Sequence, residues 1–452
     1  MFLEHNKAYI FWYTKKQIVF FATFFFFIVF SLSFLTPPFQ SPDEFNHVQR
    51  IYLLAKGELR PDVDINNSGG YVDDGLLTYM QYFSAIPFHP ERKIDVVKYE
   101  TAKKIRWAHR ESFLEFKNSG IYGPLTYLPQ SLGLKVGIFF DLTVHSSYKL
   151  ARFLLLLSAL LIVIYASFVF PIPPVALAIL LTPISIFQLG TTSPDGICFS
   201  LIILSLSLYS RLIFSKEPPS KMQLIILFFA NFAIITRYFN FMPLVVIPIY
   251  LYCLYKKNIF LIFSVFIFST SLCWILYAFQ IHTLPPHSIS DVVFYYIKQP
   301  LSLIKIFLNT FSRYGTVRNT LYEMIGRLGW NDLKLQGKVF FVLPFFYLIY
   351  LNVFKQKVNS NIVYKRILIL LAASFSLLIL LMLLVGWTIH PARVIDGISG
   401  RYFVPILFFL AYAFSDLKGP LKNNKLTYKL LILLMVMSFC VVFYGLKLRY
   451  WA

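Results

Sequence analysis

The segment Ser41-Pro42-Asp43-Glu44-Phe45-Asn46-His47-Val48-Gln49-Arg50 places an acid, an imidazole and a guanidinium at helical spacing. Asp43, His47 and Arg50 stand at i, i+4 and i+7 and would share one helix face, with Phe45, Val48 and Tyr52 on another. Ser41 suits an N-cap, Pro42 the first helical position, and Glu44 completes a capping box. Capping accounts for Glu44 as well as chemistry does; an acid, an imidazole and a guanidinium together exceed what a cap requires. The tripeptide recurs at Ser193-Pro194-Asp195, where Gly196 follows and no capping-box acid is present. Asp43, Glu44 and Asp195 are therefore the candidate catalytic acids. Two such carboxylates could share a divalent cation, Mg or Mn, with a phosphate. Alternatively, one could act as general base while the other positions an acceptor. Both could also be helix starts and nothing more.

Cations gather near the ends of apolar runs: Lys298, Arg313, Arg318, Arg327, His390, Arg393 and Arg401. Arginine suits bidentate phosphate contacts. Arg401, in Gly400-Arg401-Tyr402-Phe403, enters an apolar run, which is costly unless the charge is paired, lines a wet cavity or snorkels to headgroups. Gly326-Arg327-Leu328-Gly329-Trp330 is a weaker case of the same kind. With His47, Arg50, Tyr122, His390 and Arg393 these form the candidate substrate-binding set. No metal-ligating set is assigned: Asp62-Val63-Asp64 is a short D-x-D, Asp73-Asp74 reads as solvated, and His282 and His287 lack metal-site spacing. Walker, GxSxG and GxGxxG patterns are absent, which removes support for ATP-driven transport and serine hydrolysis.

The elements that must hold these residues are membrane helices. Of 452 residues, 58% are hydrophobic and only 14% charged, far below the quarter charged of a soluble domain. The formal charge of +21 sits beside apolar runs, which points to topology control and lipid headgroups, and not to nucleic acid. The expected fold is an all-α polytopic membrane protein with about eleven spans: 17–35, 148–169, 174–190, 196–214, 222–236, 241–255, 258–281, 339–354, 366–387, 401–416 and 428–446. The first span reads as uncleaved, because Thr36-Pro37-Pro38 follows it directly. With the N-terminus inside, the short basic loops around Arg211, Lys256, Lys355 and Lys418 all fall inside as well. The resulting divisions are an N-terminus with first span (1–35), an outer loop carrying the acidic motif (36–147), a block of spans (148–281), a second outer loop (282–338) and a C-terminal block of spans (339–452). Tyr71, Tyr79, Trp107 and Tyr122 suggest interfacial helices in the first loop. Cys198, Cys253, Cys273 and Cys440 lie in apolar runs without CxxC partners and read as packed, reduced thiols.

An acidic motif at the start of a large outer loop, followed by many spans and a second outer loop, resembles the GT-C glycosyltransferases, which use polyprenyl-phosphate-linked sugars. Within that group, Pro42-Asp43-Glu44 with His47 and Arg50 looks like a bacterial multispan family carrying a PDE-x-x-H-x-x-R motif. Tyr122–Pro129, Ser193-Pro194-Asp195, Gly326–Trp330 and Gly400–Phe403 are also similar to that family, in the same order along nearly the whole chain. The architecture is similar to phage-borne O-antigen glucosyltransferases too. The resemblance implies Asp43 as catalytic carboxylate, Asp195 as the second acid, and Arg393 and Arg401 as grips on the donor phosphate. It further implies an inverting hexosyltransferase of the bacterial cytoplasmic membrane, with its site facing the periplasm or cell exterior. Its partners would be a lipid-linked sugar donor, a cell-envelope glycan acceptor such as O-antigen or another surface polysaccharide, and membrane lipids. A second-loop D-x-D is lacking, so the resemblance leaves metal dependence open. A flippase or transporter for lipid-linked saccharides, or a polysaccharide polymerase or ligase, are the competing readings.

Overall fold

The computed structural model describes residues 14–63, 68–115, 119–215, 219–279, 288–337, 339–354, 361–415 and 424–451. Helix α1 (Lys15–Leu35) is capped by Thr14 in a reciprocal box with Gln17. A mixed insertion follows: α2 (Glu44–Lys56), β1 (Asp62–Val63), β2 (Ser68–Asp73), α3 (Asp74–Gln81), α4 (Val96–Ala102), β3 (Glu111–Glu115) and α5 (Leu128–Phe139). The helical body continues with α6 (Val144–Val169), α7 (Pro174–Leu180), α8 (Pro183–Leu189), α9 (Asp195–Ser215), α10 (Lys221–Arg237), α11 (Val246–Tyr255) and α12 (Ile259–Phe279). A second insertion holds α13 (Ile289–Lys298), α14 (Pro300–Ser312), α15 (Tyr314–Gly326) and the hairpin β4 (Arg327–Leu328) and β5 (Leu333–Lys334). The chain ends with α16 (Val339–Ile349), α17 (Ile362–Gly386), α18 (Val404–Phe414) and α19 (Asn424–Leu446).

Six of these, α1, α6, α9, α12, α17 and α19, are long and apolar enough to cross a membrane; a span needs about 20 apolar residues. Shorter apolar segments cover Phe239–Tyr255, Val339–Val353 and Gly400–Phe414. The expected span 174–190 is two short helices, because Pro183 supplies no N–H and biases Thr182 out of the helical region. The break is buried, and Thr182 Oγ1 and Ser185 Oγ donate to Ile179 O at 2.8 and 2.9 Å. Irregular backbone is tolerated at membrane depth when protein covers it in this way.

The expectation of purely helical loops is corrected by the first insertion. β1, β2 and β3 form an antiparallel sheet, with Tyr71 opposite Phe113. Asp73, read as solvated, is buried and caps α3, accepting from the backbone N–H groups of Gly75, Ala108 and His109. Asp64, His282 and His287 lie outside the described residues. Three of the four cysteines, Cys253, Cys273 and Cys440, are on the surface; only Cys198 is packed. A lipid-facing surface accommodates a thiol as readily as a core does.

Two glycines on α5 let it press onto α6. A Cβ at Gly133 would sit 2.6 Å from the Ala151 Cα, and one at Gly137 2.1 Å from the Ser147 Oγ. Small residues four apart permit this backbone approach. The C-terminal residues bind the insertions together. Arg449 pairs with Asp332 at 2.6 Å and donates to Ile86 O, Ile94 N–H donates to Tyr450 O, and Trp451 Nε1 donates to Leu35 O at 2.7 Å.

Candidate functional site

At the same end of the bundle, a cleft with about 980 Å³ of open space is lined by Asp43, His47, Tyr122, Asp195, Arg237 and Arg401, among others. Asp43 is the N-cap of α2 and adopts a left-handed conformation, φ 59°. Asparagine and aspartate visit that region most easily among residues with a side chain, at a cost of about 1–2 kcal/mol. The helix therefore starts at Glu44, later than the Ser41 cap and Pro42 start expected from sequence. Half of the expected box survives, since Ser41 N–H donates to Glu44 Oε2 at 2.9 Å.

Glu44 is what fixes that corner. It is fully buried, 3.3 Å from Arg152 Nη2, and its Oε1 accepts from Tyr148 OH, Thr192 N–H and Thr192 Oγ1 at 2.7–2.9 Å. Arg152 also donates to Ser33 O, Thr36 O and Pro37 O. Burial raises the Glu44 carboxyl, but Arg152 and the hydrogen bonds outweigh it and hold the group below its ordinary value. Removing one partner of so buried a pair costs about 3–5 kcal/mol. Glu44, named above as a catalytic candidate, does not line the cleft; it anchors Asp43, its neighbour, which does.

Two ion pairs line the cleft. Arg401 Nη2 lies 2.8 Å from Asp43 Oδ2 and 3.3 Å from Tyr402 OH. Arg237 Nη2 lies 2.6 Å from Asp195 Oδ1, which also accepts from Tyr238 OH at 2.9 Å. The Arg237 guanidinium stacks 4.0 Å over the Tyr122 ring. The Nε atoms of Arg237 and Arg401 are buried and have no hydrogen-bond partner among the described residues. Asp43 is the more open acid, its side chain 37% exposed against 13% for Asp195. Burial, the largest single influence, would raise the Asp43 carboxyl, but Arg401, His47 and Arg237 together outweigh it and the net shift is downward. His47 Nδ1 is 2.9 Å from Tyr127 OH. Burial first, then the positive charge of Arg237, pushes this imidazole down to about 4, against the pull of Asp43 and Asp195. It is neutral at pH 7.

The remaining candidates lie elsewhere. Arg50 is buried outside the cleft, with Nη2 donating to Leu59 O at 2.7 Å. Arg327 pairs with Glu323 at 2.8 Å, and Glu323 Oε2 accepts the Gly400 N–H at 2.9 Å; it steadies the turn that presents Arg401. His390 and Arg393 line a second pocket against α13 and α14, so Arg393 does not join Arg401. Sequence reading missed Arg237 and Tyr238. Their signal was an arginine at the end of an apolar run, the same signal that singled out Arg401.

The donor set does not fit a Mg or Mn site. Each cleft carboxylate already has a guanidinium partner, and among the described residues no group of three or more His, Cys, Asp or Glu converges as a metal site. What the cleft offers is acid chemistry beside cations able to take an anion.

No match is found among curated proteins or solved structures. The family described as predicted membrane protein (DUF2142) matches residues 24–410. With the apolar helices just described, that match over most of its length makes this chain a membrane protein and a member of the DUF2142 family.

Proposed function

We propose that the protein transfers a sugar from a polyprenyl-phosphate donor to a cell-envelope glycan, such as O-antigen or another surface polysaccharide, at the outer face of the bacterial cytoplasmic membrane. In this reading the chain crosses eleven times, with the three short apolar segments, α10 and the α7–α8 pair counting as crossings beside the six long helices, and the cleft opens outward. The observation that carries the reading is the pair of guanidinium-held carboxylates in one cleft at a membrane end of the bundle.

The donor phosphate competes with Asp43 for Arg401 and takes the buried Nε donors of Arg237 and Arg401; charge-assisted contacts of this kind favour the anion. Released from its partner, the Asp43 carboxylate becomes a stronger base and accepts the proton of an acceptor hydroxyl. That oxygen forms a bond to the anomeric carbon as the bond from carbon to phosphate oxygen breaks. The electron pair leaves with the polyprenyl phosphate, whose growing charge the arginines offset. Inversion follows from a single displacement. Asp195, held by Arg237 and Tyr238, orients the acceptor, and neutral His47 contributes a hydrogen bond without a charge.

The test is transfer from a synthetic polyprenyl-phosphate sugar to envelope glycan by purified protein. Asp43→Asn should lower the rate at least roughly 100-fold, as loss of a general base does, and Asp195→Asn less; wild-type rates in Asp43→Asn would remove Asp43 from the chemistry. The 3-10 stretch Phe239–Val245 beside the cleft favours a second reading, a transporter of lipid-linked saccharides. Flipping of the donor without transfer would select it.

A further inference from the structure

Helices α13 and α14 are amphipathic in a way that the sugar-transfer reading leaves unused. Their outward stripes are apolar: Phe294, Ile297, Leu301 and Leu308 are 60–79% exposed. Their opposite stripes close a second pocket against the turn at His390 and Arg393, with about 1100 Å³ of open space. Tyr295, Tyr296, Lys305 and Asn309 lie on that side. Tyr296 OH is 3.4 Å from His390 Nδ1, His390 Nε2 is 2.8 Å from Leu384 O, and Asn309 Nδ2 donates to Arg393 O at 3.3 Å. The wall is thus built from both the insertion and the turn. Lys305 and Arg393 line it as its two cations, against one carboxylate, Asp291.

A helix with an exposed apolar stripe in a membrane protein lies in the interface with that stripe against acyl chains. A basic, hydroxyl-rich pocket directly behind the stripe then sits at headgroup depth. We propose that this pocket takes the phosphate of a membrane lipid, whose chains lie along the outward face of α13 and α14. Lys305 and Arg393 contact the phosphate oxygens, and Tyr295 and Asn309 the neutral part of the headgroup. The pocket shares no lining residue with the Asp43 cleft, so the proposal stands apart from the transfer reaction.

Calorimetric titration of the full chain in a neutral detergent tests it, with dioctanoyl phosphatidic acid, dioctanoylglycerol and inorganic phosphate as probes. Phosphatidic acid should bind to wild type, dioctanoylglycerol should not, and inorganic phosphate should bind far more weakly. Lys305→Gln and Arg393→Gln should each weaken phosphatidic acid roughly tenfold, the worth of one charge-assisted contact. Lys298→Gln, outside the pocket lining, should bind as wild type does. Melting curves confirm that each variant is folded; should one not be, Asn309→Ala replaces it, with weaker binding expected. Equal affinity in wild type and the pocket variants would overturn the proposal, as would an equal loss in Lys298→Gln, which would indicate diffuse surface attraction. Inorganic phosphate binding as tightly as the lipid would replace the lipid by a free phosphate ion.

Discussion

His47 is the residue whose environment makes the sharpest demand on pH. It is buried among Asp43, Asp195, Arg237, Arg401 and Tyr127. Its pKa falls from 6.5 unfolded to about 4 folded. Between those values the unfolded chain binds the additional proton, so stability is lost as pH drops through the window and is not affected above it. The full effect is ~3 kcal/mol. Thermal melts in detergent should therefore show His47→Gln losing less stability than wild type between pH 6.5 and pH 4; parallel slopes would place the imidazole in water. The same neutrality explains how an imidazole can stand beside two guanidinium groups without repelling them.

At the scale of elements, the turn before α18 decides where Arg401 points. Gly400 presses on α15: a Cβ there would lie 2.2 Å from Thr320 O and 2.6 Å from Met324 N, both backbone atoms that cannot yield separately. Glu323 and Arg327 hold the turn from the α15 side. Gly400→Ala must shift the turn, and with it the Arg401–Asp43 pair. A displacement of about 1 Å at a reacting group costs on the order of 100-fold in rate. The transfer assay should show a loss of that order in Gly400→Ala, with donor binding weakened as well; an unchanged rate would mean that the turn does not set the site. The α2 corner is fixed in a comparable manner by Glu44 and Arg152.

For the whole molecule, the arrangement of ends is the strongest constraint on orientation. Trp451 bonds to Leu35 O at the end of α1, and Tyr450 to the first insertion, so the C-terminal residues share the cleft's end of the bundle. Tyr428, at the start of α19, reaches Gln17 at the opposite end. An outward-facing cleft therefore requires an outward C-terminus. Alkaline phosphatase fused after residue 452 should be active, and a fluorescent protein fused there should stay dark. The reverse result would turn the cleft to the cytoplasm and end the proposal of an outer-face transferase.

The sequence by itself determined the membrane class, the main apolar helices and several cleft residues, because these signals are local. Apolar runs report membrane helices, and Ser-Pro-Asp at two helix starts reports acids near membrane ends. Asp43, His47, Tyr122, Asp195 and Arg401 were all visible in this way and meet in one cleft. What only the tertiary structure decided was the partnership of charges. Asp43 and Arg401 are 358 positions apart, and no local pattern pairs them. Glu44 resembled its neighbour in sequence but was turned into the core by Arg152, 108 positions away. His390 and Arg393 were separated from Arg401 by the fold of a single turn, and Arg237 gained its role only when α10 met the start of α9. A charge near a membrane is defined by what neutralises it, and in this cleft each neutralising group arrives from another element.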